Sequence, residues 1–333
     1  MAKPLLGITI GDAAGVGPEV VLKATMHEAV FNRARIVILG SVEVLEYYRS
    51  LLGLPVRFHR ITHVEDARSE PGNLSVLEVG RGPSNLVPGI INAEAGHLAI
   101  AALNAGAQLC KDSLLDGMVT APTNKKSFHL AGYNFEGQTE LLGEAWGSDL
   151  YTMLVVADRL RVLLLTRHMS LREALDRINT SNTLSHLLLL NSTLKRLGIA
   201  QPRIALAAWN PHAGEGGIFG NEDDQILVPA VVNARKLGID VAGPVPADSL
   251  FNRAYQGEFD GILSLYHDQA LIAPKALAPE RAVTLIAGVP FLRVSVIHGA
   301  GFDRAGQNKA NATNMTEAIA RAAEWAPMWK LNN

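Results

Sequence analysis

The sequence is short of several features that define common classes of protein. A single cysteine, Cys110, excludes an intrachain disulfide. Neither sign of charge dominates, because 30 Lys and Arg residues stand against 32 Asp and Glu residues for a formal net charge of -2. Binding to nucleic acid or to an anionic membrane requires a basic surface, so we expect neither partner. No run approaches the roughly 20 apolar residues of a membrane-spanning helix.

The amino-terminal segment MAKPLLGITIGDAAG has one lysine and only a short apolar run before a charged turn. A secretory signal peptide needs a longer apolar stretch and a cleavage site, so we expect a cytoplasmic protein. The chain has 333 residues, of which 48% are hydrophobic and 19% charged. These values are typical of a globular protein and are sufficient for two α/β domains.

Apolar segments of strand length alternate with helical segments along the chain. The strand-like segments are 4–10, 35–40, 74–79, 116–121, 151–157, 160–166, 203–209, 260–266, 282–288 and 290–297. The helical segments are 20–30, 41–52, 92–111, 181–197, 222–237 and 314–325. This alternation predicts an α/β fold with a mostly parallel sheet covered on both faces. Segments 151–157 and 160–166 are expected to pair through the Asp158-Arg159 turn.

Three histidines follow strand-like segments: His168, His212 and His267. Ligands of open α/β sheets collect outside the carboxyl ends of the strands. Three neutral imidazoles with an open position would suit a divalent metal that holds substrate oxygens. The spacings match no local metal motif, so only the fold can bring these residues together. The alternative is that each histidine is an ordinary hydrogen-bonded loop residue.

A glycine-rich turn, GDAAGVGPE at 11–19, lies between a strand and a helix. It could cradle a phosphate at the helix N-terminus. However, its glycines are ordered G-x-x-x-G-x-G and no Gly-Lys-Ser follows, unlike a dinucleotide fingerprint or a P-loop. A tight turn before a helix that starts at Pro18 is an equal alternative.

Three further segments could bind an anion or a cofactor. Arg293 lies in the apolar run PFLRVSVI, where its burial without an anion would be costly, unless it faces solvent from an edge strand. Thr139 of GQTE could help to bind an anion at a helix start, or could simply cap that helix. The loop at 298–313 is rich in small residues and could wrap an adenine or a ribose, or could only connect to the last helix.

Taken together, these segments resemble the 4-hydroxythreonine-4-phosphate dehydrogenase family nearly from end to end. The resemblance rests on GDAAGVGPE, TAPTNK, GQTE, TRHMSLRE, NPHAGEGG, PADS, YHDQ, PFLR and the HG-A loop. Of these, NPHAGEGG and YHDQ are the most specific. The HGAGFDRAG segment also resembles the cofactor loop of isopropylmalate and isocitrate dehydrogenases.

The resemblance implies two α/β/α domains with an active-site cleft between them. Residues 1–135 together with 276–333 would form the cofactor-side domain, and residues 136–275 the metal, substrate and dimerisation domain. It also implies a homodimer in which one metal ligand comes from the partner subunit. The metal is expected to be zinc, with magnesium, manganese or cobalt as alternatives.

The resemblance also implies roles for individual residues. The metal ligands would be His168, His212 and His267. The substrate contacts would be Gln138, Thr139, Lys275, Thr284 and Arg293. NAD, or NADP in its place, would be bound in part by His298, Gly299, Ala300, Asp303, Gly306 and Asn311. Lys275 would move a proton or hold a carboxylate, and Asp248 and Asp268 would orient the metal site.

The implied reaction is oxidation of a secondary alcohol in an anionic substrate, followed by decarboxylation when the product is a β-keto acid. A 4-phosphorylated four-carbon hydroxy acid is the expected substrate, and vitamin B6 synthesis is the family-level expectation. Departures at Gln138 (usually His), Thr284 (usually Asn), Ala13 (commonly Pro) and Ile297–Gly301 (usually D-H-G-T-A) predict an altered substrate pocket. The alternatives are a terephthalate-type cis-dihydrodiol dehydrogenase and, in another class, a non-catalytic ligand-binding relative.

Overall fold

Strands and helices alternate along the chain, as the apolar pattern predicts. The computed structural model describes residues 2–147 and 149–331. The strands are β1 (Leu5–Thr9), β2 (Arg35–Gly40), β3 (Arg57–Ile61), β4 (Ser69–Glu70), β5 (Asn73–Glu78), β6 (Gly117–Thr120), β7 (Thr152–Ala157), β8 (Leu160–Leu164), β9 (Arg203–Ala207), β10 (Asp240–Val245), β11 (Gly261–Ser264), β12 (Ala282–Ala287) and β13 (Arg293–Val296).

The helices lie between these strands. They are α1 (Gly17–Ala24), α2 (Glu28–Arg33), α3 (Val42–Leu52), α4 (Ala93–Lys111), α5 (Lys125–Leu130), α6 (Gln138–Trp146), α7 (Leu171–Arg177), α8 (Thr180–Arg196), α9 (Val228–Lys236), α10 (Ala247–Tyr255), α11 (His267–Leu277) and α12 (Thr313–Leu331). Short 3₁₀ segments occupy Val64–Asp66 and Pro211–Gly217, and a π-helical turn occupies Asp223–Leu227. Within the two described ranges, no helix combines the length and the apolar character that a membrane span requires.

The first compact unit comprises the chain up to Gly147 together with Val289–Lys330. Its strands are ordered β13-β6-β1-β2-β5-β3, and each neighbouring pair is parallel. The short β4 pairs antiparallel with β5. β1 and β6 are buried along their whole length, as expected for parallel strands that helices cover on both faces. The carboxyl ends of β13, β6 and β1 therefore lie at the same edge of this sheet.

The second compact unit spans residues 149–288 of the described chain. Its strands are ordered β10-β9-β11-β8-β7-β12. The first four strands are parallel, whereas β7 runs antiparallel to both β8 and β12. Asp158, with φ 53, turns the chain between β7 and β8, which confirms the predicted pairing of these segments.

The predicted fold class, α/β with a mostly parallel sheet and covering helices, is confirmed. Along the chain, the boundaries between the two units fall after Gly147 and after Gly288. α6 packs on α4 in the first unit, and β12 pairs with β7 in the second. The division into a cofactor-side domain (1–135 with 276–333) and a metal, substrate and dimerisation domain (136–275) stays a prediction.

Candidate active site

Three parallel strands of the second unit carry the three histidines at one edge of the sheet. β11 lies between β8 and β9 and is parallel to both. His168 follows β8, His212 follows β9 and His267 follows β11. Because the carboxyl ends of parallel strands share one edge, the fold brings these residues to the region where α/β proteins bind ligands.

His168 and His267 are neighbours. Their ring centroids are 5.9 Å apart, with an angle of 43° between the planes. Nδ1 of His267 lies 2.9 Å from Oδ1 of Asp268, a side chain that is largely exposed. When Nδ1 carries the proton it donates to this carboxylate, and Nε2 keeps its lone pair for a metal ion. Asp268 is thus placed to fix the tautomer of His267.

The backbone of the His212 loop is unusual. Left-handed φ angles occur at His212 (54°), Ala213 (56°), Gly214 (79°), Glu215 (42°) and Gly216 (64°). The left-handed conformation costs a non-glycine residue about 1–2 kcal/mol. Such conformations persist only where the surrounding structure enforces them, and they cluster at functional sites. His168 is a further non-glycine residue with positive φ, at 44°.

A buried carboxylate anchors the segment that leads into this loop. Asp223 is 1% exposed. Its Oδ1 accepts the backbone N–H of Trp209 at 2.8 Å, and its Oδ2 accepts that of Asn210 at 2.9 Å. The Asn210 side chain donates in turn to Glu222 Oε2 at 2.8 Å. The segment that leads into His212 is therefore tied to the turn before α9.

Two other side chains join the ends of the three strands. Gln269 accepts the N–H of Leu265 at 2.8 Å and donates to the carbonyl oxygen of Ala208 at 3.0 Å, which links the end of β11 to that of β9. The Thr166 hydroxyl donates to the carbonyl oxygen of Leu265 at 2.7 Å, which links β8 to β11. Sequence reasoning missed Gln269, Thr166 and Asp223. The YHDQ motif contains Gln269, but its role depends on which strands are neighbours.

Imidazole nitrogens are suitable ligands for a divalent metal, but the three histidines do not come together as one ligand set in the described residues of this chain. Among residues 2–147 and 149–331, no three His, Cys, Asp or Glu side chains are grouped so that they could hold one ion. His168 and His267 lie together, whereas His212, which is exposed, packs its ring 6.0 Å from that of Phe219. Catalytic zinc sites usually have three protein ligands, and of the three expected here the rings of His168 and His267 are the two that lie together.

The other residues expected in this unit lie in different settings. Lys275 is exposed in the last turn of α11, about 12 Å along the helix axis from His267. Asp248 is exposed in the first turn of α10, where Pro246 rather than Asp248 occupies the N-cap position. Thr284 is 6% exposed in β12, opposite Val155 of β7. The roles of these three residues stay predictions.

In the first unit, Arg293 is buried in β13 with an exposure of 3%. This burial rules out the alternative in which Arg293 faces solvent from an edge strand. Its Nε donates to Thr120 Oγ1 at 3.0 Å and its NH2 to Gln138 Oε1 at 2.7 Å, so its hydrogen-bond partners among the described residues are neutral. Burial lowers the pKa of Arg293 to about 9, against the opposing charge of Glu140, and leaves the guanidinium charged at neutral pH.

Gln138 and Thr139 begin α6 beside this guanidinium. Both side chains are buried, and no side chain caps the helix, whose N-cap residue is Gly137. Thr139 is therefore not a capping residue. The first N–H groups of a helix lack partners within the helix and attract anions. The buried cation and this helix N-terminus together form a candidate anion site.

A cavity of about 370 Å³ lies beside the loop that follows β13. His298, Gly299, Asp303 and Asn311, four of the residues expected to bind the cofactor, line it. Nδ1 of His298 lies 2.9 Å from the carbonyl oxygen of Gly299, and its Nε2 is buried with no hydrogen-bond partner in the described structure. This orphaned nitrogen and the polar groups around the cavity fit a nucleotide.

The two remaining residues of the predicted cofactor set shape the loop. The carbonyl oxygen of Ala300 accepts the N–H of Val16 at 2.8 Å, which ties the loop to the turn before α1. Gly306 has φ 73, and a Cβ there would lie 2.7 Å from Pro88. Ala300 and Gly306 thus act through backbone packing, and each position favours a small residue.

The GDAAGVGPE turn lines the cavity through Val16, and Val20 of α1, the residue after this segment, lines it as well. A Cβ on Gly15 would lie 2.7 Å from the carbonyl oxygen of Ala300, and one on Gly17 would lie 2.3 Å from that of Ile10. The glycines therefore allow close packing against β1 and the cofactor loop. Asp12 of the same turn is fully buried, and burial raises the pKa of its carboxyl.

Comparisons with known proteins identify the family of this chain. The model of the family described as pyridoxal phosphate biosynthetic protein PdxA matches residues 32–322. A D-threonate 4-phosphate dehydrogenase from Bordetella bronchiseptica is 38% identical over 328 residues, which cover 98% of this chain and 93% of that protein.

Solved structures of similar fold are also dehydrogenases. A 4-hydroxythreonine-4-phosphate dehydrogenase from Klebsiella pneumoniae has a TM-score of 0.90 and 35% identity, with 97% of this chain and 100% of that chain covered. A terephthalate 1,2-cis-dihydrodiol dehydrogenase from Burkholderia xenovorans has a TM-score of 0.68 and 27% identity, with 97% and 98% covered. The relatives are dehydrogenases, which does not support the alternative of a non-catalytic ligand-binding protein. The chain is an oxidoreductase and belongs to the PdxA family.

Proposed function

We propose that the protein oxidises the secondary alcohol of a 4-phosphorylated four-carbon hydroxy acid, of the D-threonate 4-phosphate type, with NAD and a divalent metal. Decarboxylation follows when the product is a β-keto acid. The observation that carries the choice of substrate class is Arg293, a buried guanidinium with neutral partners beside the N-terminus of α6. The names of relatives at 35–38% identity support the same class.

The anion site is suited to the phosphate group. Arg293 uses Nε and one N–H of NH2 on Thr120 and Gln138, so NH1 makes no hydrogen bond to the described residues. A guanidinium binds phosphate through paired, charge-assisted hydrogen bonds. The N-terminal N–H groups of α6 and the hydroxyl of Thr139 add neutral donors. An anion bound here would offset the cost of burying the arginine.

The proposed metal ligands are His168 and His267 of one chain and His212 of the partner subunit. The pairing of the first two rings and the separate position of the third support this assignment. A divalent metal held there would lower the pKa of the substrate hydroxyl and polarise a neighbouring oxygen. Asp268 orients His267, and Asp223 and Gln269 hold the strand ends. Zinc suits an imidazole set, with magnesium, manganese and cobalt as alternatives.

The proposed cofactor site is the cavity of the first unit. Asp303, Asn311 and Nε2 of His298 would supply polar contacts to the nucleotide from the wall of this cavity. NAD supplies the hydride acceptor when it is bound. Lys275 moves the proton or holds the carboxylate, Thr284 contributes to the substrate pocket, and Asp248 supports the metal ligands.

A cis-dihydrodiol dehydrogenase of the terephthalate type is the second candidate. Its ring carboxylate could also bind Arg293. The TM-score of 0.68 against 0.90 favours the phosphorylated substrate.

The test is NAD reduction by purified enzyme loaded with Zn²⁺, Mn²⁺ or Mg²⁺, on D-threonate 4-phosphate, D-erythronate 4-phosphate, 4-phosphohydroxythreonine and a terephthalate cis-dihydrodiol. We expect the highest kcat/KM for a sugar-acid phosphate, lower values for 4-phosphohydroxythreonine because Gln138 and Thr284 alter the pocket, and no turnover after chelation. Preferred oxidation of the dihydrodiol would overturn the substrate assignment. Full activity after chelation would overturn the metal.

A further inference from the structure

Two charged residues of α1 bind the backbone of the cofactor loop. Glu19 and Lys23 form an ion pair at 2.7 Å, one turn apart on the helix. Glu19 Oε1 also accepts the N–H of Ala310 at 2.9 Å. Lys23 Nζ donates to the carbonyl oxygens of Asn308 at 3.2 Å and Ala310 at 3.0 Å. Both backbone groups of Ala310 are therefore held by this pair.

Burial of the Glu19 carboxylate in this pair costs free energy of folding. Glu19 is fully buried, whereas the side chain of Lys23 is 23% exposed. Oε2 of Glu19 is buried without a hydrogen-bond partner in the described parts of the chain. Well-packed apolar residues often stabilise a protein as much as such a pair does. Stability alone therefore gives a weak reason for a carboxylate at this position.

The position of the pair gives a stronger reason. Val16 and Val20, on either side of Glu19 in the sequence, line the cavity, and so do Ala310 and Asn311 of the loop. The pair thus joins two walls of one cavity at the residue next to Asn311. Asn308 has a left-handed φ of 58, so the loop turns sharply where Lys23 binds it.

We propose that Glu19 and Lys23 are positioning residues for the dinucleotide. They hold residues 308–310 so that Ala310 and Asn311 keep the wall of the cavity in its binding geometry. The inference rests on the proposed binding of NAD in this cavity, and it adds the residues that set the affinity. Neither residue touches the reacting atoms.

The experiment measures NAD binding to the metal-loaded enzyme by titration calorimetry, without substrate and therefore without turnover. The variants are Lys23→Met, Lys23→Arg and Glu19→Gln. The control is Arg177→Met, which breaks the Glu173–Arg177 pair of the same length and spacing on the exposed face of α7. Lys23→Met should raise the Kd for NAD about tenfold, as expected for loss of a charge-assisted hydrogen bond. Lys23→Arg should recover part of the affinity, and Arg177→Met should match the wild type.

Steady-state kinetics separate positioning from a general effect on folding. Lys23→Met should raise the KM for NAD much more than it changes kcat or the KM for the phosphorylated substrate. Unchanged NAD binding in both Lys23→Met and Glu19→Gln would overturn the inference and leave the proposed function intact. Equal loss of NAD and substrate binding with a lowered Tm would also overturn it, because the pair would then be structural. Failure of the wild type to bind NAD would overturn both proposals.

Discussion

Arg293 is a buried cation whose hydrogen bonds within residues 2–147 and 149–331 go to Thr120 and Gln138 and not to a carboxylate. We expect Arg293→Lys to lower kcat/KM about 10- to 150-fold, mainly through KM, because a lysine cannot make paired hydrogen bonds to an anion and losing one such bond costs about 1.5–3 kcal/mol. The Kd for NAD should stay near the wild-type value. Arg177→Lys, at an exposed position, is the matched control. Wild-type kinetics for Arg293→Lys would show that no substrate anion binds there.

His186 should make stability depend on pH. It is 7% exposed in α8, and Nδ1 lies 2.7 Å from the carbonyl oxygen of Asn182. Burial lowers the pKa of His186 below its ordinary value of 6.5, and the charge of Arg167 adds to the effect. Below pH 6.5 the imidazole of His186 binds a proton in the unfolded chain but not in the folded chain. The free energy of unfolding therefore decreases as the pH is lowered from 6.5 to the pKa of the folded state.

Denaturant titrations between pH 7.5 and 5 would check this effect. The difference in unfolding free energy between the wild type and His186→Gln should shrink as the pH falls, since glutamine has no proton to gain. The control Ser192→Ala, at an exposed position of the same helix and without a group that titrates in this range, should show a constant difference. A constant difference for His186→Gln as well would contradict the assignment.

Some residue roles could be predicted from the sequence and others could not. For Arg293 the sequence left two interpretations, burial beside an anion or exposure on an edge strand, and the structure decides in favour of burial. The anion stays a prediction, which rests on the cost of burying a charge. Asp223 and Gln269 gave no such signal. Their side chains bind backbone groups of Trp209, Asn210, Ala208 and Leu265, and these partners become visible only when the order of β8, β9 and β11 is known.

At the scale of elements, the His212 loop depends on its anchor to the turn before α9. Asp223→Asn replaces one of two acceptors by an N–H donor that faces the N–H of Trp209 or Asn210. We expect metal affinity to fall about 10- to 100-fold, the usual effect of removing a group that orients a ligand. The neighbouring Asp224→Asn, at an exposed position, is the control. Competition with a chromogenic chelator measures both affinities, and equal values would refute the anchoring role.

The elements that the sequence predicts are those with uniform burial. β1, β2, β6 and β11 lie in apolar runs, because both faces of a parallel strand are covered. β3, RFHRI, was missed because it lies at the end of its sheet with mostly exposed or half-buried side chains. β10, DVAGPV, was missed because a glycine and a proline interrupt its pattern.

At the scale of the whole molecule, the proposed homodimer shares its metal sites. If His168 and His267 belong to one chain and His212 to the partner subunit, a His168→Ala chain paired with a His212→Ala chain forms one intact site of two. Random exchange of subunits should then restore about a quarter of wild-type activity, since half of the dimers are mixed. His168→Ala with His267→Ala should restore none. Recovery in the second mixture, or in neither, would contradict the ligand assignment.

The central claim is that the enzyme recognises a phosphorylated alcohol through the buried cation of the first unit. Its most direct test compares kcat/KM for D-threonate 4-phosphate and for D-threonate, with saturating NAD and metal. We expect the phosphorylated acid to be preferred by at least about 100-fold, because a site built to bind a charged group is left with unpaired donors when that group is missing. Equal values of kcat/KM for the two acids would contradict the claim.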